Sequence, residues 1–255
     1  PPYDVIDASA RAALAVAPHS FVHVDLPVAG DGEDAYGVAR STLTRWRADG
    51  ILVQAARSTM YRYAQTFADP RTPGRHVTRY GVIVAARLSP YREREVRPHE
   101  RTLTAPKADR LALMRATAAQ LSPVFAAFRD PAGEVERALR GVERAAPTLE
   151  ATDADGVTHR LWACADAEVH GRVRRALAPH PLYILDGHHR YETMLAYRDE
   201  LEAAAPLESH AAANYGLMCL VAADDPGLIV QPTYRLVHGV ADLGIERVRA
   251  VLAAA

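Results

Sequence analysis

A dense group of polar residues follows directly after an apolar run in the second half of the chain. Residues 182–185 read Leu-Tyr-Ile-Leu, and residues 186–190 read Asp-Gly-His-His-Arg. The apolar run predicts a buried strand, and Gly187 permits a sharp turn into a helix that begins near His188. The first N–H groups of a helix have no partner within the helix and carry partial positive charge. The turn is therefore suited to bind an anion, above all a phosphate.

Each polar side chain of this turn has a predicted role. Arg190 would hold a phosphate with two of its N–H groups, and Gly187 and His189 would complete the nucleotide site. Asp186 and His188 are the predicted catalytic groups, as a base or proton carrier, and Asp186 is also a predicted Mg²⁺ ligand. The alternative is that Asp186 only caps the helix and the two histidines lie on the surface.

A second charged segment occupies residues 99–110 and holds the only lysine of the chain. Glu100 lies beside His99 at a predicted strand-to-loop junction, so we expect Glu100 to act as a general base and His99 to contact the substrate. Lys107 and Arg110 lie about one helical turn apart and are predicted to face the same phosphate. The alternative is a solvated loop held by surface ion pairs.

The overall composition limits the class of protein. The chain has 255 residues, of which 49% are hydrophobic and 24% charged, and a formal net charge of −1. These values are ordinary for a globular protein. The near-zero net charge argues against a nucleic-acid partner. Cys164 and Cys219 form neither a disulfide framework nor a zinc pair. We expect a cytoplasmic protein without a membrane partner, and a homo-oligomer stays open.

The order of the predicted elements mixes hairpins with strand–helix units, which predicts an α+β (mixed α/β) fold. We expect one unit over residues 1–255, with a subdivision into 1–130 and 131–255 as an option. The helices are predicted at 7–17, 31–50, 106–121, 131–146, 166–179, 188–204 and 242–254. Strands are predicted at 21–25, 58–67, 75–88, 123–128, 182–186 and 214–223, with a hairpin over 148–164 and extended chain over 228–237.

The stretch DGHHRYETMLAYRDE, residues 186–200, closely resembles the hallmark of a family known as domain of unknown function 1015. Three other stretches fit that family: PPYDVI at the start, HERT at 99–102 with the cations after it, and DDPGLIVQPTYRLV at 224–237. In the last stretch the family usually has His in place of Tyr234. The resemblance implies that Tyr3 and Asp4 lie near the site. Arg235 follows a predicted strand and is a further candidate for an anionic substrate.

The DGHHR core also resembles the wider ParB/sulfiredoxin-like fold, which includes sulfiredoxin, CTP-binding ParB proteins and a free serine kinase. In that fold a short glycine-containing motif at a helix start holds nucleotide phosphates, and the kinase pairs it with an acidic base. The resemblance implies a nucleotide-binding core with added hairpins and helices.

Together these features predict a nucleotide-dependent phosphotransferase that acts on a small hydroxyl compound such as serine. ATP or ADP with Mg²⁺ would supply the phosphoryl group, and Glu100 would accept the hydroxyl proton. Two alternatives stay open. One is a nucleotide-binding regulatory or DNA-associated ParB-like module without turnover. The other is a metal-dependent hydrolase in which His188 or His189 binds a transition metal.

Overall fold

A computed structural model describes residues 3–231 and 244–253, and in this part of the chain it contains eight strands and eight α-helices. The strands are β1 (Met60–Ala68), β2 (His76–Arg87), β3 (Val96–Arg97), β4 (Val124–Phe128), β5 (Leu149–Thr152), β6 (Thr158–Cys164), β7 (Leu182–Asp186) and β8 (Tyr215–Ala222). The helices are α1 (Ala8–Leu14), α2 (Val22–Asp25), α3 (Ala35–Ala48), α4 (Thr104–Thr117), α5 (Glu134–Leu139), α6 (Ala167–Leu177), α7 (His188–Ala204) and α8 (Ile245–Ala253). The predicted α+β class is confirmed.

The eight strands form one mixed sheet in the order β3-β7-β4-β8-β2-β1-β6-β5. β3 runs parallel to β7, and β4 runs parallel to β8, whereas the other neighbours are antiparallel. Strands from both sides of residue 130 are neighbours at several places in this sheet, as in β7-β4-β8-β2 and β1-β6. The single unit and its optional subdivision at that residue stay predictions.

One face of the sheet carries the main hydrophobic core, because successive side chains of a strand point to opposite faces. Ile184 of β7 and Leu220 of β8 pack there against α7 and against α5 and α6. Each such side chain stabilises the fold by about 1.5–3 kcal/mol when it leaves water. On the opposite face, side chains such as Leu217 are only half-buried. The core therefore holds α7 against the same face of the sheet on which the side chain of Ile184 lies.

A second apolar cluster joins the amino-terminal helices to α4, and α4 in turn packs against α7. Trp46 of α3 and Leu113 of α4 are buried in this cluster together with Val24. The segment 21–25 is therefore not the predicted strand but the short helix α2, and that prediction was wrong. Val24 packs into the cluster, and backbone bonds from Val24 and Asp25 to Phe21 close a helical turn. Tertiary packing outweighs the β-branched pattern of so short a segment.

The predicted extended chain over 228–237 is only partly described, since residues 232–243 lie outside the described ranges, and residues 228–231 are not in a strand. The helix predicted over 242–254 is present as α8. Within the described ranges, no helix combines the length and the apolar character needed to cross a bilayer.

Candidate functional site

The turn between β7 and α7 is built around Gly187. Its φ angle of 92° lies in the left-handed region that favours glycine. A Cβ at this position would lie 2.9 Å from Cζ of Arg190, because the Arg190 guanidinium folds back over the glycine. That guanidinium donates hydrogen bonds to the carboxylate of Asp186 and to the backbone oxygen of Pro123. Only glycine leaves room for this arrangement.

The first turn of α7 presents backbone N–H groups without a partner. Tyr191 is the first residue of the helix whose N–H bonds back along the chain, to the oxygen of Gly187 at 2.9 Å. Among the hydrogen bonds of the described residues, none has an N–H group of residues 188–190 as its donor. The predicted helix start with unpaired N–H groups is therefore present, and anion binding there stays a prediction.

The two histidines of this turn hold the loop that precedes α4. The N–H of His99 donates to Nε2 of His188 at 3.2 Å, and the N–H of Leu103 donates to Nε2 of His189 at 3.0 Å. Each Nε2 is an acceptor, so each neutral ring carries its proton on Nδ1. The histidine pair fixes both ends of residues 99–103 against α7. This contact explains why two adjacent histidines follow Gly187.

His188 is buried and positions Glu100. Burial lowers the pKa of His188 below its ordinary value of 6.5, although the carboxylate of Glu100 acts in the opposite direction. Oε1 of Glu100 lies 2.9 Å from Nδ1 of His188, in a close polar contact whose angle is not that of a hydrogen bond. The Glu100 side chain is itself 57% exposed. A neutral, buried imidazole therefore lies behind an accessible carboxylate.

His99 lies between the loop and the end of β7. Its Nδ1 is 2.8 Å from the backbone oxygen of Ile184, so Nδ1 carries the proton and Nε2 has the lone pair in the neutral ring. Its ring meets that of His188 edge to face, with centroids 4.6 Å apart. The structure thus brings the predicted residues His99, Glu100 and His188 together.

Glu192 is a residue of the site that the sequence did not predict. Its Oε2 accepts hydrogen bonds from Nζ of Lys107 at 2.8 Å and from Oγ1 of Thr102 at 2.6 Å. Partial burial favours the protonated carboxyl, but the bonds from Lys107 and Thr102 outweigh it, so the pKa of Glu192 is lowered. Its position four residues after His188 places both on one face of α7, and this spacing was the available signal.

Tyr191 is a second residue with a role near the site that the sequence did not predict. It is completely buried, and its hydroxyl donates to the oxygen of Ser89 at 2.7 Å and accepts from the N–H of Ser89 at 3.0 Å. These bonds tie the chain that leads from β2 towards residues 99–103 to α7. Tyr191 therefore supports the loop that carries Glu100.

Arg110 and Tyr3 lie on the other side of the turn, beside Arg190. Arg110 donates to the backbone oxygen and the carboxylate of Asp25, and its guanidinium lies 4.4 Å from the ring centre of Tyr3. These side chains and Arg190 line a small open cleft. Burial raises the pKa values of Asp25 and Tyr3, although Arg110 and Arg190 act in the opposite direction.

The remaining predicted residues have different surroundings. Lys107 contacts Glu192 whereas Arg110 contacts Asp25, so the two cations have different partners, and a shared phosphate stays a prediction. Asp4 is exposed. Arg235 lies outside the described residues.

Metal-binding groups were also predicted at this turn. In the described ranges, no three side chains of His, Cys, Asp or Glu lie close enough together to hold a metal ion. The carboxylate of Asp186 is paired with Arg190, and Nε2 of each histidine in the turn accepts a backbone N–H. The metal-dependent hydrolase stays a prediction, and the described residues contain no group of side chains that would bind its metal.

One comparison with known proteins, the match to a family model, agrees with the motifs. No curated protein matches this chain, and no solved structure does so either. The similarity to the ParB/sulfiredoxin-like fold therefore stays a prediction. A family model described as protein of unknown function, DUF1015, matches residues 1–255. The chain belongs to this family, as the DGHHRYET stretch predicts.

Proposed function

We propose that the protein is a nucleotide-dependent phosphotransferase that acts on a small hydroxyl compound such as serine. The observation that carries the proposal is the start of α7, where unpaired N–H groups of residues 188–190 follow the left-handed Gly187. Arg190 and the accessible carboxylate of Glu100 lie at the same turn. A cationic donor group beside a general base is the combination that phosphoryl transfer requires.

The donors at this turn fit a polyphosphate. The helix start supplies backbone N–H groups and partial positive charge, and Arg190 supplies a guanidinium. Lys107 of α4 contacts Glu192, which lies about one turn into α7. Asp186, whose side chain is 54% exposed, would share Mg²⁺ with phosphate oxygens.

Glu100 would take the proton of the acceptor hydroxyl. ATP or ADP with Mg²⁺ would supply the phosphoryl group. The buried His188 donates no proton to solvent, and its Nδ1 faces the carboxylate, so it acts by positioning Glu100. Removal of the carboxylate is therefore expected to abolish turnover and to leave nucleotide affinity almost unchanged.

The first test measures nucleotide binding by thermal shift and calorimetry, with ATP or ADP and MgCl₂. A ligand that binds only the folded state raises the melting temperature. Arg190→Gln and Lys107→Met should each weaken binding by about tenfold or more, since each removes a charge-assisted contact. Arg115→Gln is the matched control, because Arg115 also joins α4 to α7 but pairs with Glu200 on the exposed side.

The second test measures turnover with serine as the acceptor. Wild-type protein should convert nucleotide only when the acceptor is present, and Glu100→Gln should bind nucleotide without converting it. Binding that is lost equally in Arg115→Gln would contradict the assigned site. Nucleotide binding without turnover, in wild type and with a panel of hydroxyl acceptors, would favour the regulatory ParB-like module instead.

A further inference from the structure

A second polar cluster lies on the sheet face opposite to α7. Tyr63 of β1 and His159 of β6 project from this face, since their neighbours Arg62 and Ala64 are buried on the helix-covered side. The Tyr63 hydroxyl is 2.6 Å from Nδ1 of His159. Nε2 of the same ring is 3.0 Å from Oδ2 of Asp153, in the turn between β5 and β6. Carboxylate, imidazole and hydroxyl are thus connected in series.

The direction of these hydrogen bonds follows from their partners. Asp153 can only accept, and its pKa is lowered by the bond from His159, so the proton lies on Nε2. Nδ1 then carries the lone pair and accepts from the phenol. Burial raises the pKa of Tyr63 to about 12, which keeps the phenol protonated at neutral pH. The series has the order in which an imidazole removes a proton while the hydroxyl oxygen attacks an electrophile.

A cation lies near Tyr63. Gly81 lies directly opposite Tyr63 on β2 and adds no side chain beside the phenol ring. Arg79, two residues earlier on the same face, bonds to Gln65 and lies 4.7 Å from the ring centre of Phe125. Among the ion pairs of the described residues, Arg79 has no carboxylate partner. An electrophile with a negative charge is the ligand class that suits this pair of groups.

We propose that Tyr63 is a nucleophile activated by His159 and Asp153, and that it accepts acyl or sulfonyl groups from anionic electrophiles beside Arg79. In the step, the phenolic oxygen forms a bond to the acyl carbon or sulfonyl sulfur, and the bond to the leaving group breaks. The phenolic proton passes to Nδ1 of His159, and the leaving group departs with its electron pair. This site is independent of the phosphotransferase proposal.

The test uses 4-(fluorosulfonyl)benzoate as the probe, with the wild-type protein and peptide mass spectrometry as the readout. Attack forms the aryl sulfonate ester of tyrosine and releases fluoride. Tyr63 should be modified faster than Tyr61 by about tenfold or more, which is below the usual contribution of a general base. Tyr61 is the internal control, since it lies two residues earlier on the same strand and face and is also half-buried.

Asp153→Asn separates activation from structure. Oδ1 of Asp153 accepts from the N–H groups of Asp155 and Val157, and asparagine keeps that oxygen. The new NH₂ group would donate to Nε2 of His159 and move the imidazole proton to Nδ1, where it blocks uptake of the phenolic proton. We expect the variant to melt like wild type and to lose the excess reactivity of Tyr63 over Tyr61.

Arg79→Gln tests the ligand class. The carboxylate probe should lose its rate advantage over benzenesulfonyl fluoride, the neutral analogue, while the neutral probe still modifies Tyr63. Equal modification of Tyr63 and Tyr61 in wild type would overturn the proposal, and so would unchanged Tyr63 reactivity in a folded Asp153→Asn variant. A purely structural bond between Tyr63 and His159 predicts either of those results.

Discussion

The first turn of α7 is held differently on its two sides. On one side, Arg190 folds over Gly187 and lines a small cleft together with the buried Arg110. On the other side, Glu192 meets Lys107, and the carboxylate of Glu100 is more than half exposed. The difference indicates that the two sides have different roles. The arginine side fixes the turn and, in the proposed function, also supplies the Arg190 guanidinium to the anion. The side of the 99–103 loop presents more exposed groups that can change partners when an anion binds.

Gly187→Ala should disrupt the contacts of Arg190 and cause the largest loss of stability among these variants. A methyl group would strain the left-handed backbone and displace the Arg190 guanidinium from Asp186 and Pro123. We expect a loss of about 2–4 kcal/mol in the free energy of unfolding, which combines backbone strain with the lost charge-assisted bonds. Chemical denaturation measures it.

Gly156→Ala is the matched control for this substitution. Gly156 also has a left-handed φ, 77°, but nothing lies within 4 Å of a Cβ at that position. It should lose only the strain contribution, about 1–2 kcal/mol. Equal losses in the two variants would show that Arg190 moves freely, and the contrast between the two sides of α7 would then fail.

Glu192→Gln should test the loop side with a smaller effect. A double-mutant cycle with Lys107→Met is expected to give a coupling of about 1 kcal/mol, because both side chains are partly exposed. The pKa of Glu192 is lowered, so this coupling is present above pH 4.5 and is lost as the pH falls through the lowered pKa.

Arg115→Gln supplies the comparison for the Glu192 cycle. Arg115 and Glu200 also join α4 to α7, but both side chains are more exposed than the Lys107–Glu192 pair. The denaturation midpoint should show no measurable shift. A coupling of Lys107 with Glu192 no larger than that of Arg115 with Glu200 would mean that the loop side is an ordinary surface contact.

The local sequence pattern predicted most of the helices and strands. It failed where contacts with residues distant in the sequence determine the local structure. The strands predicted at 58–67 and 75–88 end within two residues of β1 and β2, since alternation over nine or more residues is specific. The helix predicted over 131–146 is shorter, because the left-handed Gly133 delays its start and its last part is a separate 3₁₀ turn, Val142–Arg144. The helix α2 depends on the side chains that surround it.

The candidate site was likewise only partly predictable from the sequence. The turn at Gly187 was predictable, because glycine after an apolar run and before a helical pattern is a local signal. The bond from Lys107 to Glu192 joins residues 85 positions apart on two packed helices, and no spacing rule reaches that far. The burial of His188 likewise depends on the loop that covers it. Single-sequence reasoning therefore located the turn but not the partners of its side chains.

The pH dependence of stability provides the finest test of how the loop is held. Burial lowers the pKa of His188, while Glu100, Asp186 and Glu192 raise it and His99 lowers it further. As the pH falls below 6.5, the unfolded chain takes up a proton at this histidine before the folded protein does. The free energy of unfolding should therefore decrease from pH 6.5 downwards, until the lowered pKa is reached.

His188→Gln isolates that contribution, because glutamine can accept the N–H of His99 but does not titrate. The variant should lose part of the decrease that wild type shows below pH 6.5, as followed by denaturation at a series of pH values. If both proteins have the same profile, the imidazole is not held neutral at the core of the turn. Glu100 would then lack its rigid support, and the two sides of α7 would not differ in the way that their contacts indicate.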